Sequence, residues 1–418
     1  MGPVVHSLIL KQFRSVPSGR IDFDNPTFLV GHNGSGKSNI ADAFAFLAEA
    51  MDSPLHEILD RRGGIASIFH KTPDKNLSPN LGIAIECDYS QVLKSEIANF
   101  DSLDPELSRN IAAIRYAFEI KPLPEYRFEV DREQCIITRF DRSKGWFDRK
   151  KKKVETNVGL FAGKTTEVRE ESLALPIMGS INAFFPVLQV LRAMRVYSIE
   201  PSRLREMQDP DSGASLRRDG TNAASVLEEI RRRKPEDIPR IERFLSAIVP
   251  GTSSVSTMRH GQKLTLEFVH KWDNTKQLNF EAFNMSDGTL RAFALLLAVF
   301  QRETPSLILV EEPEASLHPA ALGAVLDLLR HASKQMQVIV STHSPEILDA
   351  KWIEDKHLRV VTWQEGATSV SGVSEMSKKA LQQHLMGAGE LLRSEALAPT
   401  ALFEEVPQPY AELFEEVS

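Results

Sequence analysis

Cysteine is nearly absent: Cys87 and Cys135 are the only two in 418 residues, so no disulfide framework and no cysteine-based zinc cluster is expected. Basic charge is not in excess either. Lys and Arg total 50 against 57 Asp and Glu, a formal net charge of −7, which removes any global positive field for holding nucleic acid without specificity. The longest strongly apolar stretch, Ala292 to Phe300, is far too short to cross a bilayer. The opening MGPVVHSLIL lacks the charged first segment and long apolar core of a secretory signal, so the expected location is cytoplasmic, with no membrane partner. No sustained heptad run and no internal repeat are read, which speaks against coiled-coil arms and solenoids. What is present is an ordinary globular composition, 42% hydrophobic and 26% charged, in a chain long enough for two or three domains.

Short strands are expected at Val4–Leu10 and Gly19–Phe23, and a buried one at Thr27–Val30. That last run leads directly into GHNGSGKS, after which ADAFAFLAEAM carries helical apolar spacing. Residues 81–165 read as a β-meander, with strands at Leu81–Cys87, Arg115–Ile120, Tyr126–Val130 and Gln134–Phe140. From 166 to 249 the pattern is mostly helical, clearest at Thr221–Arg233 and Pro235–Ile248, and a strand pair follows at Ser253–Met258 and Lys263–His270. Then come a helix from Thr289 to Arg302, an apolar strand Leu307–Val310, a helix from Pro319 to Ser333 and an apolar strand Val338–Ser341. Alternating helices and all-apolar strands predict an α/β fold whose parallel sheet is covered on both faces. The tail from Phe403 is acidic and proline-punctuated, either a disordered extension or a docking segment.

Four segments carry chemistry. Gly31-His32-Asn33-Gly34-Ser35-Gly36-Lys37-Ser38 fills every fixed position of a phosphate-binding loop, between a strand and a helix. Its glycines let backbone N–H groups converge on phosphates at a helix N-terminus, Lys37 adds a point charge, and the Ser38 hydroxyl suits Mg2+. Leu307-Ile308-Leu309-Val310-Glu311-Glu312 is an apolar strand ending in two carboxylates. The first can hold Mg2+, and the second can orient and deprotonate an attacking water. Many such motifs begin with Asp, so Glu311 is a departure, but its longer side chain still reaches a metal. Val338-Ile339-Val340-Ser341-Thr342-His343 is a second apolar strand with a polar end, where His343 either senses a terminal phosphate or is structural. Ser286-Asp287-Gly288 opens an apolar helix and is either an ordinary N-cap or a second anion-binding helix start.

In this order, the four segments resemble the ABC-type head ATPases of the RecF/SMC group, and most closely its stand-alone prokaryotic "AAA family" ATPases. The opening through Phe13-Arg14-Ser15 to the glycine loop is similar to their N-terminus; NMSDGTLR resembles their signature, LILVEEPEASLHP their Walker B with the D-loop, and STHSPEILD their switch-histidine segment. The resemblance implies a P-loop NTPase of ABC-head type: a mixed and parallel sheet flanked by helices, an antiparallel β subregion and a mostly helical insert. It divides the chain into a first ATPase lobe with Walker A and β-meander (1–165), a mostly helical insert with a strand pair (166–285), a second lobe with signature, Walker B, D-loop and switch histidine (286–375), and a C-terminal helix with acidic tail (376–418).

The same resemblance implies ATP and Mg2+ as cofactors. Nucleotide contacts fall to Arg14, Gly31, Asn33, Gly34, Ser35, Gly36, Lys37, Ser38 and Asn39, the metal to Ser38 and Glu311, and catalysis to Lys37, Glu312 and His343. Ser286, Asp287 and Gly288 of one subunit would contact the γ-phosphate held by the other, so a homodimer or higher even oligomer is expected, with Ala315 to Pro319 at its interface. Residues 39–285 separate Walker A from the signature without heptads, unlike SMC arms, and residues 351–418 lack the acidic clusters of a nuclease domain. An armless head of this kind fits a switch controlling a separately encoded effector protein, for instance in prokaryotic defence against phage. The alternative is a DNA-binding ATPase of recombination or repair, in which Arg149–Lys153, Arg203, Arg205, Arg217, Arg218 and Arg231–Arg233 either contact phosphates or form a solvated face. A transporter subunit is disfavoured by the lack of an LSGGQ-like signature and by the large insert.

Overall fold

The computed structural model describes residues 2–71, 80–94, 110–159, 162–179, 183–271, 276–400 and 412–417. Its first strands are β1 (Val5–Phe13), β2 (Val16–Asp22) and β3 (Thr27–Val30). The next are β4 (Leu81–Asp88), β5 (Ile111–Pro122), β6 (Phe128–Arg139), β7 (Lys144–Lys150), β8 (Lys153–Thr156) and β9 (Thr166–Glu167). With β1 and β2 these build an antiparallel sheet in the order β2-β1-β4-β5-β6-β7-β8-β9. After β10 (Met194–Tyr197), strands β11 (Thr252–His260), β12 (Lys263–Lys271) and β13 (Gln277–Glu281) form a small sheet of their own. Finally β14 (Leu307–Glu311), β15 (Gln337–Thr342), β16 (Leu358–Gln364) and β17 (Ala367–Ser371) join β10 and β3 in the order β10-β14-β15-β3-β16-β17, parallel but for β17.

The all-apolar strands are apolar because both of their faces are covered. Leu29, Leu307, Leu309 and Ile339 face one core, shared with Ile40, Phe44 and Leu47 of the helix Lys37–Glu49 and with Leu8, Ile83 and Phe118 of the antiparallel sheet. Their neighbours Phe28, Val30, Ile308, Val310, Val338 and Val340 face a second core, built with helices Asp287–Phe300 and Pro319–Ala332. The helix after the glycine loop is thus clamped between two sheets. Its Phe44 meets Phe23 edge-on at 5.6 Å. Full burial of each such ring contributes about 1.5–3 kcal/mol. No helix among the described residues is long and apolar enough to cross a membrane.

Several expectations need correction. Tyr126–Val130 and Gln134–Phe140 are not two strands but fall largely within one, β6, because Arg132 and Glu133 remain paired to β5 and β7 while Asp131 is taken up in a bulge. The mostly helical stretch contains β10, which pairs in parallel with β14 and so forms an edge of the central sheet. After 376 there are two helices, Glu375–Gln382 and Ala388–Arg393, rather than one. Of the tail, 403–411 and Ser418 lie outside the described residues, while 412–417 pack against the antiparallel sheet.

The basic run is the largest correction. Arg149 neither contacts solvent nor offers itself to phosphate: it is wholly buried, with its Nη1 3.4 Å from Glu133 Oε2. Its guanidinium also donates to the carbonyls of Lys151, Arg169, Glu170 and Ser172. Glu133 accepts from the N–H groups of Ala174 and Leu175 and from the Tyr116 hydroxyl. Burial pushes its carboxyl above the usual range, against the pull of Arg149. Breaking a buried pair strands a charge, so Arg149→Met is expected to cost about 3–5 kcal/mol, read as a lower urea midpoint. A midpoint equal to wild type would refute that role.

Candidate functional site

The site follows from strand adjacency. β14, β15 and β3 lie side by side in parallel, with Glu311 opposite Ser341 and Thr342 opposite Val30. The glycine loop, the two carboxylates and His343 therefore emerge at one sheet edge, the carboxyl ends of its strands, where ligands of this fold class bind.

The loop is shaped by close approach and by positive φ. A Cβ on Gly31 would run into the Val361 carbonyl, and one on Gly36 (φ 103°) into the Thr368 side chain, so both positions require glycine. Gly34 (φ 79°) faces open space, as do the exposed His32 and Asn33. Lys37 Nζ folds back to donate to the carbonyls of Gly31 (2.6 Å) and His32 (2.8 Å). Burial lowers its pKa, against Glu312 and Glu314, which raise it. Ser35 Oγ is buried without a hydrogen-bond partner. An orphan hydroxyl and a lysine bonded to loop carbonyls suit an anion, and the cradle fits a nucleotide phosphate chain. Ser38 is exposed on the first turn of the helix.

The two carboxylates have different neighbours. Glu311 Oε1 is 3.1 Å from Arg218 Nη2. Glu312 adopts φ 44°, a conformation that persists only where surroundings enforce it, and its N–H donates to Ser341 O at 2.9 Å. Its Oε1 lies 3.2 Å from His343 Nδ1. Just beyond, Thr342 donates to Glu314, whose carboxyl is pushed up by burial. Among the described residues no cluster of three or more His, Cys, Asp or Glu side chains is arranged to hold a metal. Ser38 with Glu311 suits Mg2+ instead, since that ion keeps several waters and takes few protein ligands.

Ser286 caps the helix Asp287–Phe300 by accepting from Thr289 N at 3.2 Å. Ser286 and Asp287 are exposed, and Asp287 pairs with Arg205 at 2.5 Å. Gly288 is wedged against the Ser316 carbonyl, which couples this helix start to Ala315–Pro319. No hydrogen bond or ion pair among the described residues joins Ser286, Asp287 or Gly288 to the loop 31–38.

Arg14 and Asn39 are placed behind the loop. Arg14 Nε binds Asp42 at 2.6 Å, and Asn39 Nδ2 donates to Ser15 Oγ. Ser15 and Thr368 bridge through their hydroxyls at 2.7 Å, and Thr368 donates to Ser35 O at 2.9 Å, a strap closing the rear of the cradle. Sequence reasoning missed Asp42, Glu314 and Thr368, and offered Arg218 to DNA phosphates rather than to Glu311. The only available signal was Phe13-Arg14-Ser15 preceding the loop.

Residues 27–349 match the family AAA_21, described as "AAA domain, putative AbiEii toxin, Type IV TA system". No curated protein matches the sequence. Among solved structures, an Smc head bound to the C-winged helix domain of ScpA is similar at 18% identity and a TM-score of 0.54, covering 90% of this chain and 100% of that one. An Smc head with an extended coiled coil, bound to the C-terminal domain of ScpA derived from Pyrococcus furiosus, aligns at 15% identity and a TM-score of 0.52, covering 92% and 100%. At such identities the likeness is one of fold.

Proposed function

Since the chain belongs to the AAA_21 family and is an ABC-type ATPase of the SMC/RecF group, we propose that it hydrolyses ATP with Mg2+ only as a nucleotide-sandwiched dimer, and that closure switches a separately encoded effector. The observation that carries this is the division of labour at the sheet edge. Loop 31–38, Glu311, Glu312 and His343 converge there, while the exposed Ser286 and Asp287 make no bond to that loop.

Bound ATP with Mg2+ supplies the reacting γ-phosphoryl group and neutralises its charge. The 31–38 backbone and Lys37 hold the phosphates, with Lys37 exchanging its two carbonyl partners for them. Ser38 and Glu311 take the metal. Glu312 orients the attacking water and accepts its proton, and His343, within hydrogen-bond reach, fixes the Glu312 carboxylate. The Ser286–Gly288 turn of the partner contributes N–H groups at a helix N-terminus to the γ-phosphate. Arg291, on the same helix, is partly buried, and burial lowers its pKa against the charges of Asp287, Glu312 and Glu314, which raise it.

The family description points to a toxin–antitoxin or defence setting, and the similar Smc heads are bound to a protein partner, which supports an effector over a nucleic acid. The arginines offered for DNA also speak for this. Arg149 is buried, Arg205 holds Asp287, Arg217 holds Asp211, and Arg232 and Arg233 hold Glu229. Turnover with and without duplex DNA tests the choice: a rate unchanged by DNA is expected, and a tenfold stimulation would favour repair.

Arg218 competes with metal for Glu311. A pair this exposed couples by about 0.5–1 kcal/mol, so Arg218→Ala is expected to lower the half-saturating Mg2+ concentration about two- to fivefold. A higher Mg2+ requirement would place Arg218 among the phosphate ligands instead.

A further inference from the structure

The outer face of the antiparallel sheet carries a row of residues that sheet propensity does not explain. Ile9, Ala84, Ala117 and Gln134 lie opposite one another across β1, β4, β5 and β6, and Gly82 sits two residues before Ala84. Strands seldom spend Gly and Ala on a free face. Here the space they leave is filled by Leu413, 6% exposed, whose side chain occupies the volume a Cβ on Gly82 would need.

The rest of the docked segment is read residue by residue. The Phe414 ring lies under the Arg132 guanidinium at 4.4 Å. Gln134, 1% exposed, clasps the backbone of Glu415 from both sides, Nε2 donating to its carbonyl and Oε1 accepting from its N–H, each at 2.9 Å. The Glu415 carboxylate stands between Arg115 (3.8 Å) and Lys144 (3.1 Å), and Arg115 Nη2 donates to the carbonyls of Glu412 and Leu413. The determinants are therefore Leu, Phe and Glu in succession. The sequence holds them twice: Leu402-Phe403-Glu404-Glu405-Val406 and Leu413-Phe414-Glu415-Glu416-Val417 are identical. The reading of no internal repeat overlooked this duplication because a five-residue repeat carries no structural period.

We propose that this face, lined by Gly82, Ala84, Arg115, Ala117, Arg132 and Gln134, is a binding groove for the peptide Leu-Phe-Glu-Glu-Val, and that the tail carries two interchangeable ligands for it. The segment 413–417 occupies the groove as a displaceable insert, and 402–406 offers the same determinants. A tethered ligand acts at an effective concentration of order millimolar, so a free peptide competes poorly until the tail motifs are removed.

The test uses the full chain and two fluorescent peptides, of residues 401–407 and 411–418. In fluorescence anisotropy, the variant L402A/F403A/L413A/F414A is expected to bind both peptides about tenfold or more tightly than wild type does. Gly82→Val in that background fills the leucine pocket and is expected to abolish binding, with circular dichroism and ATP binding reporting an intact fold. Equal weak binding by wild type and the quadruple variant would overturn the groove. Binding of 411–418 but not 401–407 would overturn interchangeability, and binding unaffected by Gly82→Val would overturn the assigned pocket.

Discussion

Glu312→Gln is expected to lower steady-state ATP hydrolysis by about a hundredfold or more while leaving ATP binding intact, the size usual for losing a general base. The geometry argues for this position rather than its neighbours. Glu312 is held at φ 44° by the bond from its N–H to Ser341 O, and its carboxylate reaches His343 rather than a cation. Glu311, by contrast, is engaged by Arg218. Glutamine preserves size and the contact to His343 but cannot accept a proton. Nucleotide-bound dimers should then accumulate, visible as an ATP-dependent shift in light scattering. Glu314→Gln serves as the control: burial already favours the neutral form of that carboxyl, so its amide should keep turnover within about threefold. Normal turnover by Glu312→Gln would remove the catalytic assignment.

The parts of this molecule that were legible in the sequence are those whose chemistry is local. A phosphate loop needs its glycines, lysine and serine within eight consecutive residues, and a strand ending in paired carboxylates can be read from Leu307 to Glu312 alone. The alternate burial of Leu307 and Ile308 in two cores was implied by an unbroken apolar run. What remained hidden depends on distant partners. Thr368 closes the cradle against Ser15 and Ser35, more than three hundred residues away. β10 is four residues long and contains an arginine, so nothing in it announced a place beside β14.

Arg149 is the instructive failure. Five consecutive basic residues suggest a solvated surface, because arginine is seldom buried. Yet Arg149 and Lys150 end the strand β7, in which Gly145, Phe147 and Arg149 point inward and Lys144 and Lys150 outward. Period-2 reading from Phe147 would have turned Arg149 inward, but the matching carboxylate, Glu133, comes from another strand.

The second large effect concerns the shared reaction centre. Lys37→Ala and Ser286→Asp are each expected to be inactive alone, for different reasons. The first removes the charge on the phosphates. The second keeps the helix cap, since aspartate caps as well as serine, but sets a negative charge against the partner's γ-phosphate. Ser286 is a better probe than Gly288, whose replacement would press on Ser316 within its own chain. In a two-fold dimer each site combines one subunit's loop with the other's signature, so a mixed dimer of the two variants has one site doubly damaged and one intact. Random pairing at equal amounts makes half the dimers mixed, and activity should therefore recover to roughly one quarter of wild type. If loop and signature served the same site within one copy, both chains in the mixture would remain defective and no activity would return. Mixing thus separates a centre assembled from two chains from one completed within a single chain.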